Sequence, residues 1–217
     1  MEDFMYVGRI VSVGMTPEGK TTAMYRVSSR SFPNREARLI NGVVSIMPRA
    51  GFEDDLSKNP YIAYNCIKIA GKYAVVSNGS QTDPIAEKIN SGMTVRDSVA
   101  SCLLALDYEK DDYNTPRIVA IADKNEPVGY LGIVRKDAIH VAEFALEPGK
   151  AYYVATYEHN TPARCHYNDN DFDAVSADDA CQYVIGKGVF ADLENPVTAA
   201  AAVANGDGFD LATAIAE

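Results

Sequence analysis

Tryptophan is absent from the 217 residues, histidine occurs 3 times and cysteine 4. Cys66, Cys102, Cys165 and Cys181 stand far apart and form no C-x-x-C pair, so neither a disulfide framework nor a dithiol motif is encoded. A tetrahedral zinc site would have to combine those scattered thiols with His140, His159 or His166, and nothing in the spacing favours it. The thiols read as reduced and mostly buried. No apolar run reaches the roughly 18 residues that a membrane span needs. The start, Met1-Glu2-Asp3-Phe4, is acidic where a secretory signal is basic, and a cytoplasmic protein is expected. Basic residues are in deficit, with 20 Lys and Arg against 30 Asp and Glu, a net charge of -10 and a pI near 4.8. Such a surface repels a polyanion, so nucleic acid is not an expected partner, and an anionic ligand must find a local basic pocket.

What is present is a series of short β-branched and aromatic runs. Tyr6 to Val13 and Thr21 to Val27 flank Thr16-Pro17-Glu18-Gly19 and read as a hairpin. Further strands are expected over Gly42 to Met47, Tyr61 to Ile69, Tyr73 to Ser77, Arg117 to Ala122, Val128 to Val134, Ala138 to Leu146 and Ala151 to Tyr157. Two adjacent helices interrupt them. One follows Thr82, with Pro84 in its first turn; the other has Thr94 as N-cap and Val95, Val99, Leu103 and Leu106 at helical spacing. A third is expected after Ser176, with Asp179 at the capping-box position. Runs of strands with paired helices predict α+β layers, not alternating βαβ units. One domain is the simpler reading, with 1–195 as its body. An Ala-rich helix and loose tail of unknown role is expected over 196–217.

Gly14-Met15-Thr16-Pro17-Glu18-Gly19-Lys20-Thr21 formally fits the phosphate-binding loop G-x-x-x-x-G-K-[ST]. That loop works only when a helix follows at once and aims its N-H groups at the phosphates. Here a strand pattern follows, and Pro17 removes a loop N-H. Asp169 to Asp173 starts like a calcium loop but has Ala174 and Ala180 where Gly and Glu belong, and reads as an acidic surface loop.

The segment Tyr25 to Arg35 is more informative: Arg26, Arg30 and Arg35 stand with Ser28, Ser29 and Ser31 in a strongly acidic chain. Guanidinium forks, hydroxyls and loop N-H groups make a phosphate pocket, although the same composition also suits a solvated basic turn. Asn78 to Asp83 joins a strand to a helix start, where an anion or amide binds as readily as a helix cap forms. Asp107 to Arg117 places carboxylates at the C-terminal end of a helix, the unfavourable end, which gives a site role weight.

Tyr25 to Arg35 (YRVSSRSFPNR), Asn59-Pro60-Tyr61-Ile62 with Tyr64-Asn65-Cys66, Ser77-Asn78-Gly79-Ser80 with Thr82-Asp83, and Leu103 to Arg117 (LLALDYEKDDYNTPR) together resemble the archaeal-type IMP cyclohydrolases, in the expected order. The resemblance runs from Tyr6 to about Phe190. It implies an N-terminal-nucleophile-hydrolase-like fold, a four-layer αββα sandwich of antiparallel sheets, over a catalytic domain of 1–195. Met1-Glu2 offers no Ser, Thr or Cys nucleophile of the kind authentic members use. The implied activity closes the ring of 5-formamidoimidazole-4-carboxamide ribonucleotide to give IMP and water, with no cofactor and no metal. The implied partners are a purine nucleotide and further copies of the chain, as a tetramer.

By the same resemblance Arg35, Tyr64 and Glu109 are the catalytic candidates: Arg35 for charge on the formyl oxygen, Tyr64 for proton or hydrogen-bond donation, Glu109 for orienting or deprotonating. Arg26, Ser28, Ser29, Arg30 and Asn78 are candidates for phosphate, ribose and amide contacts. A phenol with a pKa around 10 suits donation better than base work unless neighbouring arginines lower it. A related amidohydrolase acting on another anionic metabolite, and a binding module without turnover, are the alternatives.

Overall fold

A computed structural model describes residues 6–162 and 167–216; Met1 to Phe4, Cys165 and His166 lie outside the described residues. Six strands form one sheet: β1 (Ile10–Met15), β2 (Thr21–Ser28), β10 (Lys150–Ala155), β11 (Asn168–Asp169), β12 (Pro196–Ala204) and β13 (Phe209–Ile215), in the order β11-β10-β1-β2-β12-β13. Seven form the other in sequence order: β3 (Arg35–Ile40), β4 (Val43–Pro48), β5 (Tyr64–Ala70), β6 (Tyr73–Ser77), β7 (Arg117–Asp123), β8 (Val128–Val134) and β9 (Ile139–Ala145). The paired strands are antiparallel. The helices are α1 (Asp55–Lys58), α2 (Thr82–Asn90), α3 (Val95–Leu106) and α4 (Ala177–Gly186).

Alternation along each strand decides which core a residue joins. Val11, Val13, Tyr25, Val27, Ala200 and Ala202 of the first sheet face Ile46, Ile67, Val76, Ile118 and Ile133 of the second, and this inter-sheet layer is the largest core. Their neighbours Ile10, Met24, Ala199 and Ala201 turn outward against Ala180, Cys181 and Val184 of α4. Val75, Val119 and Ile121 turn the other way, against Ile85 and Ile89 of α2 and Val99 and Leu103 of α3. The molecule is therefore an α+β sandwich of two antiparallel sheets with helices on both outer faces. Such strands are apolar on both faces, which is why they read as continuous hydrophobic runs.

The helix starts follow their caps. Thr94 accepts from Asp97 N at 3.2 Å, and Ser176 accepts from Asp179 N at 3.1 Å. The string Gly14 to Thr21 is the β1-β2 turn, with Gly19 at φ 84 and Thr16 N bonded to Lys20 O at 2.9 Å; strand β2 follows it directly. Cys66, Cys102 and Cys181 are buried and unbridged. The loop at Asp169 is less superficial than expected, because the Asp169 carboxylate is buried and accepts from the Tyr183 hydroxyl at 2.8 Å.

The C-terminal expectation is corrected. Residues 196–217 were expected as a helix and tail, but β12 and β13 occupy most of this stretch, and β12 lies inside the sheet, paired on one side with β2 and on the other with β13. Alanine is the best intrinsic helix former, but tertiary packing overrides that preference. The small side chains of Ala199 and Ala201 let α4 lie close on the outer face, while Ala200 and Ala202 fit between the sheets. Strand β3, also unforeseen, begins at Arg35 and forms one edge of the second sheet.

Candidate active site

The loop between α3 and β7 carries Glu109 into the molecule. Asp107 ends α3 at φ 56, a left-handed residue that turns the chain, and its backbone oxygen accepts from Arg117 Nε at 2.8 Å. Asp111 accepts from Thr115 N at 2.8 Å and Thr115 Oγ1 at 2.6 Å, while Glu109 N donates to Thr115 O at 2.8 Å. Two of the carboxylates that looked misplaced at a helix end thus have local work: Asp107 caps and turns, Asp111 staples the loop. Glu109 is the one aimed inward, only 1 % exposed.

Around it stand three arginines. Arg9 Nη2 donates to Glu109 Oε2 at 3.1 Å, and Arg117 Nη1 lies 3.6 Å from Oε1 while donating to Gln81 Oε1 at 3.0 Å. Arg35, at the head of β3 and buried, donates from Nε to Phe32 O at 3.1 Å and faces Tyr64. Tyr64, at the head of β5, shares a 2.6 Å hydrogen bond with the Tyr25 hydroxyl of β2. The structure therefore brings Arg35, Tyr64 and Glu109 together from three distant stretches of chain.

Buried polar atoms without partners are uncommon and call for a reason. Among the described residues four such side-chain atoms occur, and three belong here: Arg9 Nε, Arg35 Nη1 and Glu109 Oε1. Glu109 lines a cavity of about 170 Å³ together with Tyr61, Tyr64, Ser80 and Arg117, and Arg9 and Arg35 stand within electrostatic reach of its carboxylate. A second cavity of about 560 Å³ is lined by Tyr6, Arg30, Ser31, Tyr113, Tyr157 and Glu158. The two regions are tied together, since Tyr157 bonds Thr115 Oγ1 at 2.8 Å and its ring stacks on Tyr6 at 6.0 Å. Three guanidiniums against the carboxylates of Glu109 and, farther off, Asp111 leave a local positive excess in a chain of net charge -10, the local basic pocket an anion requires.

Burial dominates the titration of this cluster. It pushes Glu109 above the usual carboxylate range, against the downward pull of Arg9 and Arg117. Burial likewise raises the Tyr64 phenol, and the nearby Arg35 and Arg9 only partly offset it. Tyr64 therefore keeps its proton at neutral pH and is equipped to donate.

The other expected ligands are placed differently. Arg26 is fully buried on the outward face of β2, where Nε donates to Ser28 Oγ at 2.9 Å and the terminal nitrogens donate to the carbonyls of Ile185, Phe190, Leu193 and Glu194 at 2.5 to 3.1 Å. A guanidinium has five N-H donors, and all are used. Arg26 is a clamp at the C-terminal end of α4, not a phosphate ligand, and it occupies the Ser28 hydroxyl as well. Ser29 Oγ accepts from Phe32 N at 3.0 Å. Asn78 is buried and pinned to Pro116 O, Ile118 N and Gln81 Nε2 at 2.8 to 2.9 Å. Of this group only Arg30 faces a cavity, 4.1 Å above the Tyr6 ring and paired with Glu194 at 2.6 Å. Among the described residues no three His, Cys, Asp or Glu side chains converge as a metal site, and no helix is long and apolar enough to cross a membrane.

The family described as IMP cyclohydrolase-like protein matches residues 6–208. The chain belongs to this family. It is 51% identical over 199 residues to the IMP cyclohydrolase of Methanosphaera stadtmanae, covering 91% of this chain and 94% of that one. It is 46% identical over 213 residues to the IMP cyclohydrolase of Methanocaldococcus jannaschii, with 96% and 98% covered. The IMP cyclohydrolase of Methanococcus maripaludis is 43% identical over 213 residues, with 96% and 100% covered. The family match runs through β12 and stops just before β13, so more than half of the segment 196–217 lies within it.

Three site residues escaped the sequence reading. Arg9 is a lone cation within the Tyr6 to Val13 run and carries no motif. Arg117 and Tyr25 lay within the strings that mark this IMP cyclohydrolase-like chain, but each also reads as an ordinary strand residue. Gly79 joins them by its lack of a side chain: a Cβ there would stand 2.7 Å from Gln81 Oε1, 2.8 Å from Arg117 Nη1 and 3.4 Å from Glu109 Oε1. Gly79→Ala is expected to push Arg117 off Gln81 and cost about 1–3 kcal/mol of stability. Turnover should fall more than tenfold, on the order that a 1 Å misplacement costs. Urea unfolding and steady-state kinetics on the purified variant check both.

Proposed function

We propose that the chain is an IMP cyclohydrolase, converting 5-formamidoimidazole-4-carboxamide ribonucleotide to IMP and water in the last step of de novo purine synthesis. The observation that carries the reading to particular residues is the cluster of Arg9, Arg35, Arg117, Tyr64 and Glu109, three of whose buried polar atoms are unpartnered and three of whose residues, Tyr64, Glu109 and Arg117, line one cavity. The named relatives, at 43% to 51% identity over nearly their whole lengths, support the reaction.

In this reaction the carboxamide nitrogen bonds to the formyl carbon of the same molecule and loses one proton. The formyl oxygen takes up protons and leaves as water, while the formamide nitrogen releases its proton and the C=N bond forms. Tethered partners need orientation above all, and a bound conformer with the atoms aligned supplies much of the rate. Arg35 Nη1 stabilises charge on the formyl oxygen. Tyr64, protonated at neutral pH, donates to that oxygen as it departs, and Glu109 accepts the amide proton. Arg30 and Ser31, in the larger cavity, are placed for the phosphate. The order of helix, two sheets and helices supports an αββα fold of the N-terminal-nucleophile-hydrolase kind. A cytoplasmic homo-oligomer, a tetramer by resemblance, completes the proposal.

The test is a spectrophotometric assay of the full chain with this ribonucleotide, in chelator and without ATP or folate. The absorbance change of purine formation is expected. Binding without conversion would favour a module that has lost turnover, and release of ammonia or a carboxylate would favour an amidohydrolase.

A further inference from the structure

Tyr25 has no place in the reaction as written, yet its hydroxyl lies 2.6 Å from that of Tyr64. The two residues come from different sheets, Tyr25 from the middle of β2 and Tyr64 from the start of β5, and their rings meet edge to face at 6.4 Å and 64°. Tyr25 is 0% exposed and lies in the inter-sheet core among aliphatic side chains, whereas Tyr64 is half-buried and lines the small cavity. In a hydrogen bond between two hydroxyls, one gives its proton and the other accepts.

The surroundings decide which. If Tyr64 donated to Tyr25, the Tyr25 proton would have to find another acceptor inside the core, and among the described residues Tyr64 is the only hydrogen-bond partner of the Tyr25 hydroxyl. A buried donor left without an acceptor carries its full desolvation cost. If Tyr25 donates to Tyr64, both protons are accommodated: that of Tyr25 is bonded, and that of Tyr64 is turned toward the cavity.

We infer that Tyr25 is a positioning residue, whose donated hydrogen bond fixes the direction in which Tyr64 presents its proton to the substrate and holds the oxygen once the proton has gone. This rests on the reading of Tyr64 as the donor. Burial holds both phenols above their ordinary range, so both are protonated at neutral pH and the bond between them is one between neutral hydroxyls. A charge-assisted bond from Tyr25 would therefore form as Tyr64 ionises.

The experiment is a double-mutant cycle on the full chain with Tyr25→Phe, Tyr64→Phe and the pair, read as kcat and KM for ring closure. Y25F alone is expected to lose roughly tenfold in kcat with KM within about twofold, and its alkaline limb of kcat to move upward, because the Tyr64 phenolate has lost its donor. In the Y64F background the same change is expected to cost less than about twofold, since Tyr25 acts only through Tyr64. An equal loss in both backgrounds, or a drop in kcat with an unmoved alkaline limb, would make Tyr25 merely structural and overturn the inference. Should Y25F be too unstable to assay, NMR titration of the intact protein labelled at tyrosine Cζ still decides: Tyr64 is expected to ionise before Tyr25, and the reverse order overturns the assignment. Failure of the wild-type protein to close the ring is a separate result, and it would remove the proposed function itself.

Discussion

Replacing Glu109 by glutamine should cut kcat by about 10²–10⁴-fold, the range that a positioned general acid or base contributes. The amide keeps an acceptor for Arg9 Nη2, now 3.1 Å from the carboxylate, but carries no charge. Arg9 and Arg117 are then left facing each other with no anion between them, a loss of about 3 kcal/mol in the free protein. The contacts proposed for the phosphate, Arg30 and Ser31, lie in the larger cavity and are untouched, so IMP should bind E109Q within a few fold of the wild type and recover part of the lost stability. Turnover assays and thermal unfolding with and without IMP read these effects. Activity within twofold of the wild type would remove Glu109 from the chemistry. The pH profile carries a matching sign: Glu109 must be ionised to accept a proton, and burial raises its pKa. The acid limb of kcat in the wild type should accordingly lie above the ordinary carboxylate range and disappear in E109Q.

The second large effect is expected far from the chemistry. Arg26→Ala removes the only side chain that, among the described residues, bonds the carbonyls of Ile185, Phe190, Leu193 and Glu194, and buried acceptors stripped of a charged donor should cost about 3–5 kcal/mol. For a domain of this size that is a fall of roughly 10 °C in Tm. Burial alone pulls the Arg26 guanidinium down to about 10, so it remains a cation at neutral pH, set against the negative end of the α4 dipole. KM for the nucleotide should stay within twofold in the folded fraction. A normal Tm with a tenfold rise in KM would instead restore Arg26 to the phosphate site.

Arg26 illustrates where the sequence misleads. An arginine beside serines in an acidic chain has the composition of an anion site, and nothing local says that α4, about 150 residues away, closes over it. The helices were easier to read because their signals are local: Thr94 and Ser176 cap them, and the α2 and α3 apolar stripes face one sheet. Most strands were legible from β-branched runs. The Ala-rich β12 was not, because the reason for small side chains there is a helix packed across it, a tertiary fact. The site divides in the same way. Arg35, Tyr64 and Glu109 came from strings matched to a family, whereas Arg9 enters only because β1 runs beside β2 and brings its preceding residue under the Glu109 loop.

The position of β12 also sets the timing of folding. The first hairpin, β1 and β2, is flanked by β10 on one side and β12 on the other, so each of its outer edges waits for a partner more than a hundred residues downstream. While the chain is being made, β2 is an open edge of unpaired N-H and C=O groups, which invites pairing with other chains. Closure over the Tyr25 to Tyr64 contact, and hence over the site, cannot precede the synthesis of residues 196–204. Nascent chains stalled before that point should present an aggregation-prone sheet, and ribosome-bound chains should acquire nucleotide binding only after β12 has cleared the exit tunnel.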